Sequence, residues 1–454
     1  MSIFSLDETV VVEAVVSVSP DLAGGGARGD GVAGDERDGP PADDELTVRV
    51  AERFARATWS GIAEPGDSLA GLLVRALGAG AALSALVEHR TSTQLSVALA
   101  EAGAEGIPVG DLDGALERWR PRLISSSALT TLRLAARCGA RLVVPGDPEW
   151  PEALGDLGPH EPLALWMRGR PDAAGGLSNS IAVVGARAAT GYGEHMAMEI
   201  AAGLADRGYG VVSGAAYGVD GMAHRSALAS SGQTFAFLAG GVDRFYPSGH
   251  DALLSRIAEV GVVLSELPCG SAPTKWRFLQ RNRLIAAAAR ATVVVEAGVR
   301  SGSLNTAAHA AALGRPLGAV PGPVTSLSSA GCHRLLREFD ATCVTTADEV
   351  IEMIGPSVHQ RPRLALDPAK PPGEPLLVGA RASSAAGGPP RDTHRSAEQV
   401  RVLDAVSRRT PRRAVDIARR SGLSVAVTQA ALGTLGVDGA VHEREGGWCS
   451  GGSG

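Results

Sequence analysis

Two hydrophobic periodicities divide the chain. Between 46 and 135, apolar residues recur every three or four positions, as in LTVRVAERFARATW, SLAGLLVRALG, AALSALVEH and SALTTLRLAARCG. Breakers fall at Gly61, Pro65-Gly66 and Gly78–Gly80, so the pattern predicts a small helical bundle. From about 141, short β-branched runs take over: Ile181–Val184, Val211–Ser213, Thr234–Leu238, Val262–Ser265, Thr292–Glu296 and Leu317–Val320. Helical stretches lie between them at Tyr192–Arg207, Gly218–Ala229, His250–Val260, Arg281–Arg290 and Leu304–Leu313. Repeated βα alternation predicts an α/β core over 136–356: a Rossmann-like, doubly wound parallel sheet buried on both faces. Residues 357–394 are Pro-rich and aperiodic, and read as a linker. Over 395–454, helices at Ser396–Ser407, Ala414–Ser421 and Ser424–Leu435 precede a hairpin around Ala440–Trp448, the pattern of a winged helix. Residues 1–45, rich in Gly, Asp and Ala, are expected to form a disordered acidic arm.

Composition narrows the class. No run of about 18 apolar residues exists, so no transmembrane helix is expected. The acidic N-terminus lacks the basic region of a secretory signal. Five scattered cysteines without metal-ligand spacing fit a reduced, cytoplasmic protein with neither disulfide framework nor zinc site. The net charge of −6 argues against a nucleic-acid partner, but its distribution argues for one. Residues 1–48 hold eleven acids against Arg28 and Arg37. Between Glu266 and Glu296 there are no acids and five bases, and residues 391–420 carry nine arginines against four acids. Local basic stretches are what a polyanion feels.

Ligands of an open α/β sheet gather beyond the carboxyl ends of its strands. Three loops suit that position. In VVGARAATGYG the chain leaves a strand through Gly185 and sets Arg187 just past its end; SGAAYGVDGMAH places Ser213 and Gly214 at a strand end, with Tyr217 beyond. VVVEAGVRSGSLNTA opens a helix with Ser301, Gly302 and Ser303. Such loops serve either as ordinary tight βα turns or as anion cradles, and three in one sheet favour the second. A fourth segment, TKWRFLQRNRLIAAAAR, carries Lys275, Arg277, Arg281, Asn282 and Arg283. Arg281 and Arg283 at a helix start oppose its dipole and call for an outside anion, or for internal pairing with Glu266 or Glu296. Trp276 and Phe278 between the bases could stack nucleobases or pack inside. The first loop lacks the dinucleotide glycine spacing, and no Gly-Lys-Ser/Thr occurs, so neither NAD nor nucleoside triphosphate hydrolysis gains support and no cofactor is expected. Asp220 and His224 lack further metal ligands, Ser213 lacks GxSxG context, and Cys332-His333 are adjacent residues that do not face each other on a helix.

Taken together, VGARAATGYG, SGAAYGVDGMAH, AFLAGGVDRFYP, WRFLQRNRLIA, VVEAGVRSGSLNTA and AVPGPV resemble, in that order, the DprA/Smf family of DNA-processing proteins over about 141–355. The helical unit resembles that family's SAM-like or helix-hairpin-helix extension, and the winged helix its C-terminal one. The resemblance implies a core that binds single-stranded DNA, forms a homodimer and loads a RecA-type recombinase during natural transformation, without catalysis. It implies backbone contact by Arg187, and binding roles for Ser213, Gly214, Lys275, Arg281, Asn282, Arg283, Ser301, Gly302 and Ser303. Two departures stand out: Tyr217 replaces a base usual before the second loop's glycine, and Gly331-Cys332-His333 replaces Gly-Thr/Ser-Asn. A nucleotide phosphoribohydrolase would need a Glu after its phosphate loop, which is absent after Ser303. A winged-helix scaffold for partner proteins is the third reading.

Overall fold

The computed structural model describes residues 6–22, 42–104, 106–355 and 395–451. The expected linker and the middle of the expected acidic arm lie outside them. Helices come first: α1 (Glu8–Val16), α2 (Ala42–Ile62), α3 (Ser68–Leu77), α4 (Ala79–Val87), α5 (Ser92–Glu101), α6 (Val109–Trp119) and α7 (Ser125–Arg137). The strands and helices of the core follow in turn: β1 (Arg141–Val143), β2 (Leu165–Gly169), β3 (Ser180–Val184), α8 (Gly191–Asp206), β4 (Gly210–Ser213), α9 (Val219–Ala229), β5 (Thr234–Phe237), α10 (Asp251–Val260) and β6 (Val262–Ser265). Then come α11 (Lys275–Ala288), β7 (Ala291–Val294), α12 (Ser303–Ala312), β8 (Leu317–Ala319), α13 (Ala330–Glu338), β9 (Thr342–Cys343) and α14 (Ala347–Ile354). The last unit comprises α15 (Ala397–Ala405), α16 (Ala414–Ser421), α17 (Val425–Val437) and the hairpin β10 (Val441–Arg444) and β11 (Gly447–Ser450).

Nine strands make one sheet in the order β1-β2-β6-β5-β4-β3-β7-β8-β9. Strands β6 to β9 of that order run parallel, while β2 pairs antiparallel with both β6 and β1. Successive residues of β3 feed opposite cores. Ile181 and Val183 pack with Ile200 and Leu204 of α8, whereas Ala182 and Val184 pack with Leu284 and Ile285 of α11. This two-sided burial explains why the parallel strands are continuous apolar runs rather than alternating ones. Trp166 and Val263, from β2 and β6, join a third core with α1, α2 and α7. The other amino-terminal helices close around Trp59 and Trp119, whose rings meet edge to face at 5.3 Å.

The expectation of a disordered arm fails for residues 6–22. Asp7 caps α1, accepting hydrogen bonds from Thr9 N and Val10 N at 2.9 and 3.3 Å. Val15 and Val18 are fully buried, and Leu142 N of β1 donates to Val18 O at 2.9 Å. Asp21 pairs with Arg53 at 2.8 Å. The run Val10–Val18 supplies the apolar face that the acidic average of the segment conceals. The basic helix is also longer than expected: α11 starts at Lys275, because Thr274 caps it by accepting from Arg277 N at 3.2 Å. Arg281 and Arg283 therefore sit mid-helix and do not oppose its amino-terminal dipole.

Candidate nucleic-acid interface

Winding reverses between β3 and β7, the place where an open sheet leaves a crevice at its carboxyl edge. The loop after β3 and the loop after β7 border that crevice, and Glu296 ties them. Its carbonyl accepts from Ala186 N at 2.7 Å, and its buried carboxylate accepts from Thr190 N and Thr190 Oγ1, each at 2.8 Å. Gly185 is needed for packing: a Cβ there would lie 2.6 Å from Val219 Cγ2. Arg187 is exposed on this loop, with its Cζ 4.6 Å from the centre of the Phe278 ring of α11. Phe278 in turn lies 5.7 Å from the ring of Tyr246.

Along the second loop, Ser213 is buried and donates to Val183 O at 2.7 Å. Gly214 leaves space for Arg281, since a Cβ would stand 2.0 Å from Arg281 Nη1. Tyr217 emerges beyond it, its ring 4.8 Å from that of His250 and lying against Gly249. Tyr217 and Tyr246 are each 49% exposed, and with Phe278 and Arg187 they make an outward aromatic and cationic face. Lys275, at the start of α11, is exposed beside it.

Three arginines of α11 turn inward instead. Arg281 Nη1 donates to Gly214 O at 2.8 Å and to Phe237 O at 2.5 Å. Burial pushes its pKa down to about 10 against the pull of Asp220. Asp220, pushed up by burial, accepts from Gly214 N and Ala216 N at 3.2 and 3.3 Å. Arg283 pairs with Glu266 at 2.8 Å and donates to His160 O at 3.2 Å. Arg277 bonds Glu64 of the amino-terminal unit at 3.0 Å. Of the two readings of Arg281 and Arg283, an outside anion or internal pairing, the structure shows the internal one: both are buried, and Arg283 takes Glu266 as its partner. Asn282 is buried too, and its Nδ2 donates to Gly302 O at 3.3 Å and Asn305 Oδ1 at 3.2 Å. It holds the third loop, where Ser301 and Ser303 share a hydroxyl bond of 2.7 Å and Gly302 faces outward. Beneath this loop, Gly331 N donates to Ala297 O at 2.7 Å and His333 Nε2 lies 2.9 Å from Gly322 O. Cys332 is buried there, which pushes its thiol up to about 12 and rules it out as a ready nucleophile.

A family model described as DNA recombination-mediator protein A matches residues 141–355, and one for the DprA winged helix domain matches residues 385–447. The DNA processing protein DprA of Mycobacterium tuberculosis is 53% identical over 255 residues, 53% of this chain and 65% of that one. The chain belongs to the DprA/Smf family. Protein Smf of Escherichia coli is 38% identical over 202 residues, 44% of this chain and 53% of Smf. The alignments thus span between half and two thirds of these curated relatives. The crystal structure of DprA from Streptococcus pneumoniae superposes with a TM-score of 0.52 at 26% identity, covering 68% of this chain and 99% of that one. The mostly parallel sheet, the helical amino-terminal region and the winged helix are those of this family.

Of the thirteen residues nominated from sequence, Arg187, Tyr217, Lys275 and Gly302 are outward, and Ser301 is partly so. Gly185, Ser213, Gly214, Asn282 and Ser303 supply the close packing and hydrogen bonds that shape the loops. Tyr246 was not nominated. Its only sequence signal is its place in AFLAGGVDRFYP, after a strand that ends at the same edge.

Proposed function

We propose that the chain is a cytoplasmic single-stranded DNA-binding protein that protects incoming DNA and hands it to a RecA-type recombinase, acting as a homodimer and catalysing no covalent step itself. One observation carries the binding reading: Arg187, Tyr246 and Tyr217 are exposed around the half-buried Phe278 along the carboxyl edge of the sheet. Cations beside open aromatic faces suit a flexible strand, whose phosphates and unstacked bases can both be engaged, whereas a duplex hides its bases. The core over 136–356 carries the strand. Helix α17 of the winged helix holds neither Arg nor Lys, which disfavours sequence reading in a major groove. Family membership supports the transfer to a recombinase and the dimer.

Fluorescence anisotropy with a labelled oligothymidylate tests this reading. Tyr217→Ala is expected to cost about 1 kcal/mol or more in affinity, and Arg187→Ala to weaken binding as well, both with unchanged thermal midpoints. Unchanged affinity in both variants, or equal competition by duplex, would overturn it. Recombinase filament growth on a covered strand, with and without the protein, tests the loading step.

A further inference from the structure

Away from the sheet edge, α2, α7, the start of α11 and the winged helix enclose a cavity of about 380 Å³. That volume is within the range of small-molecule sites. Six guanidinium groups line it, those of Arg122, Arg277, Arg401, Arg412, Arg419 and Arg420, against the carboxylates of Glu64 and Asp404. Glu64 is already engaged by Arg122 at 2.6 Å and Arg277 at 3.0 Å. Burial alone would push its pKa up, but these two guanidiniums hold the carboxyl well below the usual range. Asp404 accepts from the backbone N–H of Trp276 at 3.4 Å.

The remaining cations find mostly neutral partners. Arg401 donates to the carbonyls of Ser421 and Gly422, each at 2.8 Å, and Arg412 donates to Ala405 O at 2.5 Å. Arg419 stands 3.7 Å from Asp416, and Arg420 is exposed, with no ion pair among the described residues. Carbonyls satisfy donors without compensating charge, and the one carboxylate that also acts on Arg401, Glu64, is shared with Arg122 and Arg277. Burial pushes Arg401 down to about 10, and burial together with the nearby Arg420 pushes Arg412 down. Guanidinium does not release its proton near neutral pH, so a bound anion would relieve the crowding. Several convergent guanidiniums match phosphate geometry better than any other common anion. Trp276 lines the same cavity, with Arg401 Cζ 5.3 Å from its ring centre.

We propose that this cavity binds a nucleotide, its phosphate chain among Arg401, Arg412 and Arg420 and its base against Trp276. The site shares no residue with the Arg187–Tyr217 face and does not depend on strand binding there. A free nucleoside polyphosphate and the 5′-phosphorylated end of a DNA strand carry the same chemistry, so both are tested. The full chain is titrated calorimetrically with ATP, and by anisotropy with oligonucleotides bearing or lacking a 5′-phosphate. Saturable one-to-one ATP binding is expected, weakened about tenfold or more by Arg420→Glu and by Arg412→Ala and unaffected by Arg187→Ala. Arg420 is exposed, so its variant keeps the fold, which circular dichroism checks. Tighter binding of the 5′-phosphorylated oligonucleotide, lost in Arg420→Glu, would support the site with the strand end as ligand. The proposal is overturned if millimolar ATP and the 5′-phosphate both have no effect, or if binding persists undiminished in both arginine variants. The response of oligonucleotide binding to Arg187→Ala reports on the sheet edge alone, so failure at either site is distinguishable.

Discussion

Arg283 carries its charge into the interior, where Glu266 meets it at 2.8 Å and the carbonyl of His160 accepts a second bond. Removing one member of such a pair leaves the other charged, buried and alone, at a cost of about 3–5 kcal/mol. Arg283→Ala is therefore expected to lower the denaturant midpoint substantially, with strand affinity per folded molecule little changed. A variant as stable as the parent but unable to bind oligonucleotide would return Arg283 to the interface. Buried imidazoles set the acid limit of the fold. Burial lowers His224 to about 3 and His309 to about 4, while an unfolded histidine titrates near 6.5. Below about pH 6.5 the unfolded chain binds protons that the native chain refuses, so stability is complete above that pH and falls as pH drops toward 4. Asp220, raised by burial, opposes this trend in part. Thermal midpoints at pH 7 and 5 should differ in that direction, and His224→Asn should narrow the gap. Charge and spacing revealed that residues 275–283 are basic and that loops meet at the sheet edge. Pairing with Glu266 was one of two readings open to Arg283, whereas the carbonyls of Gly214 and Phe237 that hold Arg281 were not legible, because they reach it only through tertiary packing.

Helix α1 shows how an average misleads about an element. Its surroundings are acidic and glycine-rich, yet Val15 and Val18 are fully buried against α2, α7 and the edge of the sheet. Each buried valine contributes about 1.5–3 kcal/mol. Deleting residues 1–22 should thus cost about 3–6 kcal/mol in chemical denaturation, and a truncated protein of parental stability would show that α1 adds nothing to the core. Six of the seven parallel strands were legible because two-sided burial writes them as apolar runs between helices. Strands β1, β2 and β9 were not. They have three, five and two residues, and short 3₁₀ turns at Glu152–His160 and Pro171–Asn179, rather than α-helices, follow β1 and β2. No βα rhythm marks the first two, and β9, though set between α13 and α14, is too short to form an apolar run.

Across the whole molecule, the winged helix rests on the helical unit rather than standing apart from it. Arg419 Nε donates to Pro121 O at 3.1 Å, and Arg122 Nε returns a bond to Arg419 O at 2.9 Å. The arginine excess of 391–420 is partly spent on this internal contact, which sequence could place on α15 and α16 but could not match to a partner. The inward turn of α11 has a further consequence, in how binding responds to ionic strength. Single-stranded DNA sheds condensed counterions in proportion to the cations that touch its phosphates, with a logarithmic slope of about −0.7 per contact. Had all five basic residues nominated at this edge (Arg187, Lys275, Arg277, Arg281 and Arg283) met the strand, the slope would be about −3.5. Only Arg187 and Lys275 are exposed, which brings it to about −1.4 per protomer. A strand held mainly by stacked bases should stay bound as potassium chloride rises, and a slope steeper than about −3 in an anisotropy titration would mean that the arginines of α11 leave their carboxylate and carbonyl partners when DNA arrives.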